Sequence, residues 1–424
     1  MTPPRPPAAP GLSEGERRSQ ILDIAGDVFA RSGFARTSMK DVADACGILP
    51  GSLYHHFASK DAIAVELLRR YRDQLETVGA GKGPRSVREL SGGLSDRVLA
   101  LGRQLADVAV RNRAALLLST YDPAAGAPAE LTELARLGPE RAITAMTAIL
   151  RDGQRTGLLR EEVDVPLLAR QLCQVMLHVA LATLHAGPSP RSSADTLCLM
   201  LLKGITSVDE ERLNDSAALR AALEAVRPWS ASTGAASEDR ATALRLAARA
   251  EFARRGYEAT TVRDIATASG FPTGTVYRLV NSKESLLQVI MESFYQQVSA
   301  AYAAVEQAPG GVVEKLDALA RVNIEVLRSF PEEYQIQQAW FRSDPPSVSS
   351  PATALRWRAG VIRGLVEQGL KDGSLSWAAS SSRLVSQCVR DLIWLPPTVA
   401  GRSGKRALHQ HVRTCLLRGA LTTA

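Results

Sequence analysis

Two sets of hydroxyl, phenol and ammonium side chains recur along the 424 residues at one fixed spacing. Thr37, Ser38, Tyr54 and Lys60 return 223 positions later as Thr260, Thr261, Tyr277 and Lys283. Short hydroxyls beside a positively polarised helix N-terminus, a phenol, and a lysine opening the next helix all suit phosphate oxygens of a nucleic-acid backbone. Between them stand Leu49, Pro50, Ser52 and His55 in the first set, with Phe271, Thr273, Thr275 and Arg278 in the second. Those types, at the front of one short helix, suit the major groove, where base edges carry distinguishable donors and acceptors. The expected partner is double-stranded DNA.

The elements that must hold these groups repeat as well. Ile21, Ile24, Ala25, Val28 and Phe29 fall at helical spacing and end at Gly33; Leu244, Ala247, Ala248, Ala250 and Phe252 end at Gly256. Thr37 or Ser38 before Asp41, and Thr260 or Thr261 before Asp264, read as N-caps of a second short helix. Gly47 and Gly270 supply the turn, and a third helix is expected over 50–56 and 272–279, each opened by proline. Each copy is a helix-turn-helix, a motif that grips DNA in pairs about one helical turn, ~34–36 Å, apart.

With order, spacing and duplication in agreement, the chain resembles the TetR family of one-component repressors. The resemblance rests on Asp41 to Gly47 and Gly51 to Lys60, and on Ile265 to Gly270 and Gly274 to Lys283, about 60 residues per copy. The second copy departs where Leu279 and Val280 stand for the family's His or Tyr and Phe. The resemblance implies a helical C-terminal domain behind each head that holds a small-molecule effector and pairs through its last two helices; likeness to a fused repressor of a lipid-import operon hints at a lipid-like effector. In a fused duplicate, helices around 165–186 and 192–207 would then pack on those around 378–395 and 403–419, giving intramolecular pairing of the two halves, with higher oligomers allowed. Because the two reading helices differ, the half-sites should differ, whereas a homodimer demands a palindrome. The alternative is a DNA-associated interaction protein in which only the first head binds DNA, and Val280 is the residue that favours it.

A net charge of +7 suits a polyanionic partner. Window 17–60 holds six Lys and Arg against four acids, and window 240–283 eight against three, so the second head is expected to grip phosphates more strongly. Arg5, Arg17 and Arg18 are placed to reach a minor groove from a proline-rich arm, although an idle arm is the favoured reading. The five cysteines lack CxxC pairing, and no stretch is long and apolar enough for a bilayer, so a cytoplasmic protein with no membrane partner is expected. No Walker loop, HExxH, GxSxG or dinucleotide fingerprint occurs; an enzyme, a metal site and a cofactor are not expected.

The fold class is all-α, as two tandem units. The arm covers 1–15, the first helix-turn-helix domain 16–78, its helical regulatory domain 79–207, a linker 208–238, the second helix-turn-helix domain 239–300 and the second helical domain 301–424. A helix is expected within the linker over 214–226. Candidate ligand-pocket residues are His178 and His185, seven apart on one helix face, with Trp340, Trp357 and Trp394 in the second half.

Overall fold

A computed structural model describes residues 13–34, 36–79, 92–119, 127–182, 190–207, 211–230, 239–340, 349–377, 381–401 and 403–422. The first half runs α1 (Glu14–Ser32), α2 (Met39–Ala45), α3 (Pro50–His56), α4 (Lys60–Thr77), α5 (Leu94–Arg111), α6 (Arg113–Leu118), α7 (Ala129–Arg136), α8 (Glu140–Arg155), α9 (Val165–Ala182) and α10 (Pro190–Lys203). Then come α11 (Glu211–Asn214), α12 (Ala217–Val226) and a 3-10 turn at Arg227–Ser230. The second half runs α13 (Arg240–Arg255), α14 (Val262–Ser269), α15 (Thr273–Leu279), α16 (Lys283–Gln307), α17 (Val312–Ser329), α18 (Pro331–Trp340), α19 (Ser349–Asp372), α20 (Ser382–Ile393), α21 (Pro397–Ala400) and α22 (Lys405–Val412), closed by a π-helical stretch at Arg413–Leu417. The fold is all-α, with no strand among the described residues, and no helix among them is long and apolar enough to cross a membrane.

The chain divides into two compact units, Met1–Asp73 with Asn112–Leu137, and Gln74–Arg111 with Gly138–Ala424. In the first, the apolar stripe of α1 (Ile21, Leu22, Ala25, Phe29) meets Val42 and Ala43 of α2, Leu53 of α3, Phe57, Ile63 and Leu67 of α4, and Ala114 of α6. Each of the larger chains contributes ~1.5–3 kcal/mol by leaving water, so this small head is held chiefly by one core. Capping boxes start its helices: Ser13 with Glu16 on α1, and Ser38 with Asp41 on α2.

In the second unit the second head has the same core at the repeated positions, Leu244, Ala248, Phe252, Ile265, Ala266 and Val276. Its last helix, α16, continues unbroken for 25 residues into the helical domain. The linker expectation needs amendment. α12 buries Ala218, Leu219, Ala222 and Val226, packs on both α16 and α17, and is followed by Trp229, whose ring lies 5.1 Å from Phe330. Described residues 211–230 are thus a docked element, because an apolar stripe of that width is stable only when covered.

The second unit also brings the end of α10 against the end of the π-helical stretch. Leu201 and Leu202 carbonyls accept from the N–H groups of Ala420 and Leu421 at 3.1 and 2.8 Å, and Leu417 O accepts from Ile205 and Thr206 at 3.0 and 2.9 Å. Gly204 and Gly419 face each other with φ of +74° and +93°; a Cβ on Gly204 would come within 2.3 Å of the Arg418 carbonyl carbon, and one on Gly419 within 2.3 Å of that of Lys203. Only glycine fits both the φ and the approach. A shift of 216 positions carries Leu159 to Leu375 and Ile205 to Leu421. The bond from Arg160 N–H to Ala420 O at 3.0 Å has a counterpart, at offsets of 216 and 215 positions, in that from Ser376 N–H to Ile205 O at 2.9 Å. Beside this crossing, His411 Nε2 lies 2.7 Å from Gln171 Oε1, and Asp317 is fully buried between Arg413 (2.8 Å) and His409 Nε2 (2.8 Å). Burial alone would raise the Asp317 carboxyl, but the hydrogen bonds from Arg413 and His409 outweigh it and hold it below its usual range.

Candidate nucleic-acid interface

Chain reversal after α1 decides what the four expected phosphate ligands of the first head do. Past Gly33 the carbonyls of Phe34 and Thr37 have left the helix and lack intrahelical partners. Lys60 answers both, its Nζ donating to Phe34 O at 2.8 Å and Thr37 O at 2.9 Å while lying 4.5 Å from the Phe34 ring centroid. Thr37 is buried, and its hydroxyl donates to Gly33 O at 2.8 Å. The second head repeats this: Lys283 Nζ donates to Tyr257 O and Thr260 O at 2.8 and 3.0 Å, and buried Thr260 donates to Gly256 O at 2.8 Å. Thr37, Lys60, Thr260 and Lys283, expected at phosphates, thus also clamp the chain reversal of their own head through these bonds. Desolvation lowers the pKa of both half-buried ammonium groups.

Ser38 and Thr261 remain exposed, but their hydroxyls donate to the capping carboxylates of Asp41 and Asp264 at 2.7 and 2.6 Å. Those side-chain hydrogen bonds are the main reason both carboxyls lie below their usual range. The N-termini of α2 and α14 thus already face a negative charge of their own.

The reading helices are what the heads leave open. In α3 only Leu53 turns inward; Leu49 is 65% and Tyr54 54% exposed, and Pro50, Ser52 and His55 are exposed beside them. In α15, Val276 turns inward, Tyr277 is 63% exposed, Thr273 and Arg278 are exposed, and Phe271 and Thr275 are half-buried. Arg278 Nη2 donates to Thr275 Oγ1 at 3.2 Å, which leaves its other donors for a partner. Gly51 and Gly274 sit at equivalent positions in the first turns of these helices, and a Cβ on either would meet nothing within 4 Å. Neither has the positive φ that would demand glycine. Nothing inside the protein requires a missing side chain there. The residue-type reading overlooked this pair, although its recurrence at the 223 spacing was visible.

Ion pairing redistributes the second head's larger positive count. Arg249 pairs with Glu332 and Glu333, Arg254 with Glu251, and Arg255 with Glu251 and Asp264, at 2.8–3.1 Å. These three of its eight cations serve the fold, so the charge count does not carry the expected stronger grip. In the first head Arg18 is held too: it donates to His56 O, pairs with Glu66 at 3.2 Å and lies 4.1 Å over the Phe57 ring. It is fixed on the head rather than carried on an arm; Arg5 lies outside the described residues. At the Val280 departure, Val280 N–H still closes α15 on Val276 O at 3.0 Å, as Phe57 closes α3 on Leu53 O at 2.9 Å.

Of the candidate pocket residues, His178 is half-buried with Nδ1 2.7 Å from Gln174 O, Trp357 is 40% exposed and lines no interior, and Trp394 is buried and stacked on Tyr334 at 5.4 Å. His185 and the Trp340 side chain lie outside the described residues.

Residues 21–67 and 244–290 both match the model of bacterial regulatory proteins, tetR family. Both heads are thus TetR-type DNA-binding units, two in tandem on one chain. The TetR match covers the two heads. The chain is 45% identical over 94 residues to the HTH-type transcriptional repressor KstR2 of Rhodococcus jostii, which is 21% of this chain and 45% of that protein. It is 38% identical over 69 residues, 14% of this chain and 35% of the relative, to the HTH-type transcriptional regulator UidR of Escherichia coli. The chain thus spans less than half the length of these curated relatives. A solved structure of the ketosteroid transcriptional regulator KstR2 of Mycobacterium tuberculosis aligns at 25% identity over 44% of this chain and 97% of its own, with a TM-score of 0.38.

Proposed function

We propose that this tandem TetR-family protein is a sequence-specific DNA-binding repressor whose two unlike heads read an asymmetric operator. The observation that carries the reading is the pair of exposed recognition faces, Ser52, Tyr54 and His55 on α3 against Thr273, Tyr277 and Arg278 on α15, each opened by a glycine with empty space above it. Tyr54 and Tyr277 hold phosphates; Leu49, Pro50, Ser52 and His55, and Phe271, Thr273 and Arg278, meet base edges. Intramolecular pairing of the halves, for which the Gly204–Gly419 crossing and its twofold-related hydrogen bonds speak, replaces the homodimer. A small-molecule effector that prefers the DNA-incompetent arrangement of the helical domains releases the operator, by a factor equal to its preference between the two states.

The test is a gel-shift series on a selected operator with one head altered at a time. Gly51→Ala and Gly274→Ala each raise helix propensity at an unstrained position by about 0.5–1 kcal/mol, so folding stability holds or improves. Each is expected to weaken DNA binding at least tenfold, as are Tyr54→Ala and Tyr277→Ala. Unchanged affinity in both second-head variants would leave a one-headed binder.

A further inference from the structure

The second helical domain contains a buried cation that nothing in the fold neutralises. Arg358 of α19 is 3% exposed. Its guanidinium lies 5.1 Å from the ring centroid of Tyr295, 5.7 Å from that of Trp394 and 5.9 Å from that of Tyr302. Nη2 donates to Gln337 Oε1 at 2.9 Å. Nε and Nη1 of Arg358, and Nε2 of Gln337, are buried without a hydrogen-bond partner. Among the described residues no carboxylate pairs with Arg358. Aromatic faces attract a cation that approaches them, but they do nothing for N–H groups lying in the guanidinium plane, which need acceptors. A guanidinium does not shed its proton at neutral pH, so it cannot escape the cost of burial by becoming neutral. Desolvation lowers its pKa, opposed only by the phenols of Tyr302 and Tyr295 and by no carboxylate.

Three other polar side chains of this core have partners. Tyr302 donates to Asn323 Oδ1 at 2.8 Å, Asn323 Nδ2 donates to Ile393 O at 3.3 Å and Tyr334 donates to Leu395 O at 2.9 Å. Arg358 and Gln337 thus carry three buried donors without a partner where α16, α17, α18, α19 and the end of α20 meet, among aromatic side chains. The equivalent positions of the first half differ: the 216 shift carries Arg358 to Ala142 and Trp394 to His178.

We propose that Arg358 and Gln337 form the anion subsite of an effector pocket in the second half only, and that its ligand is an organic carboxylate with an apolar body. The carboxylate supplies the acceptors that Arg358 and Gln337 lack, and the body packs among Tyr295, Tyr302, Tyr334 and Trp394. The proposal rests on the reading of the protein as effector-responsive, and it identifies which half responds and to what chemistry. It also means that the fold tolerates an unneutralised charge for the sake of binding, a known form of conflict between stability and function.

Two measurements on the full chain test it, and neither uses DNA, so their failure leaves the operator reading standing. In the first, ligand-free wild type and Arg358→Met are melted side by side. Removal of an uncompensated cation should leave the melting temperature unchanged or raise it by a few degrees, whereas a fall of several degrees would make Arg358 a structural residue and overturn the proposal. In the second, calorimetric titration uses octanoate, palmitate and 2-naphthoate, each beside its uncharged amide. At least one acid should bind at least tenfold more tightly than its amide, and Arg358→Met should erase that preference, with Gln337→Leu reducing it. Equal binding of acid and amide, or no binding by any of the three acids, overturns the proposal.

Discussion

The Arg18 guanidinium lies 4.1 Å over the Phe57 ring while pairing with Glu66, so the first head ties α1 to the end of α3 and to α4 by one side chain. At the 223 spacing these residues become Ala241, Val280 and Val289. All three partners change together. The second head instead ties α13 to α14 through Arg255 and Asp264, where the first has Ser32 and Asp41. Two copies of one motif thus keep the same core with different outer fastenings, and the loss of the family's aromatic at Val280 is part of an exchange rather than decay.

A double-mutant cycle on Arg18→Ala and Phe57→Leu should therefore show coupling of about 0.5–1 kcal/mol by urea denaturation. The corresponding substitution Val280→Phe in the second head, without an arginine at 241, should bring no comparable gain. Additivity in the first cycle would show that the ring contact contributes nothing.

Lys60→Met and Lys283→Met are expected to lower folding stability by about 1 kcal/mol each, since each strands two carbonyls that are partly open to water. Any loss of DNA affinity should follow that destabilisation. Full stability with weakened binding would return these lysines to the phosphate role that their residue type suggests.

Gly204→Ala and Gly419→Ala must force backbone against backbone, and a loss of about 3 kcal/mol or more is expected. Gly157 has φ of +74° but nothing within 4 Å of an added Cβ, so Gly157→Ala should cost only about 1 kcal/mol. Equal losses at Gly204 and Gly157 would mean that the crossing between the two chain halves is not under steric constraint.

Acid should loosen the same crossing. Burial depresses the His411 pKa from 6.5 to about 4, against the pull of Asp164. The folded state holds this imidazole neutral while the unfolded state takes up a proton below pH 6.5, so its stabilising contribution is complete above that value and is lost as pH falls toward 4. A drop of about 2 kcal/mol between pH 7.5 and 5 is expected, with His411→Gln flattening it. Asp317, whose pKa is depressed, adds a further loss only below the ordinary carboxylate range. A profile for His411→Gln that parallels wild type would exclude His411 as its source.

What the sequence could reveal followed the local physics. Periodicity, caps and the glycine after α1 lie within one turn of the residues they govern, so α1 to α4 and α13 to α16 were legible to within a residue or two. Side-chain type alone could not show the internal bonds of Thr37 and Lys60, because a hydroxyl and an ammonium serve a stranded carbonyl as well as a phosphate, and only the chain reversal at Gly33 brings those carbonyls to them. Arg358 was invisible for a different reason: its burial depends on Tyr295, Gln337 and Trp394 converging from three other places in the chain. The facing of Gly204 and Gly419 is longer-range still, across 215 residues of chain.

The most direct test of two unlike heads on one chain is selection of binding sites from random duplexes by the purified protein, repeated with Arg278→Ala. The expected outcome is one site with two different half-sequences, bound by a single chain, in which Arg278→Ala relaxes the preference within one half only. A perfect palindrome, or a lone half-site indifferent to Arg278, would contradict the account.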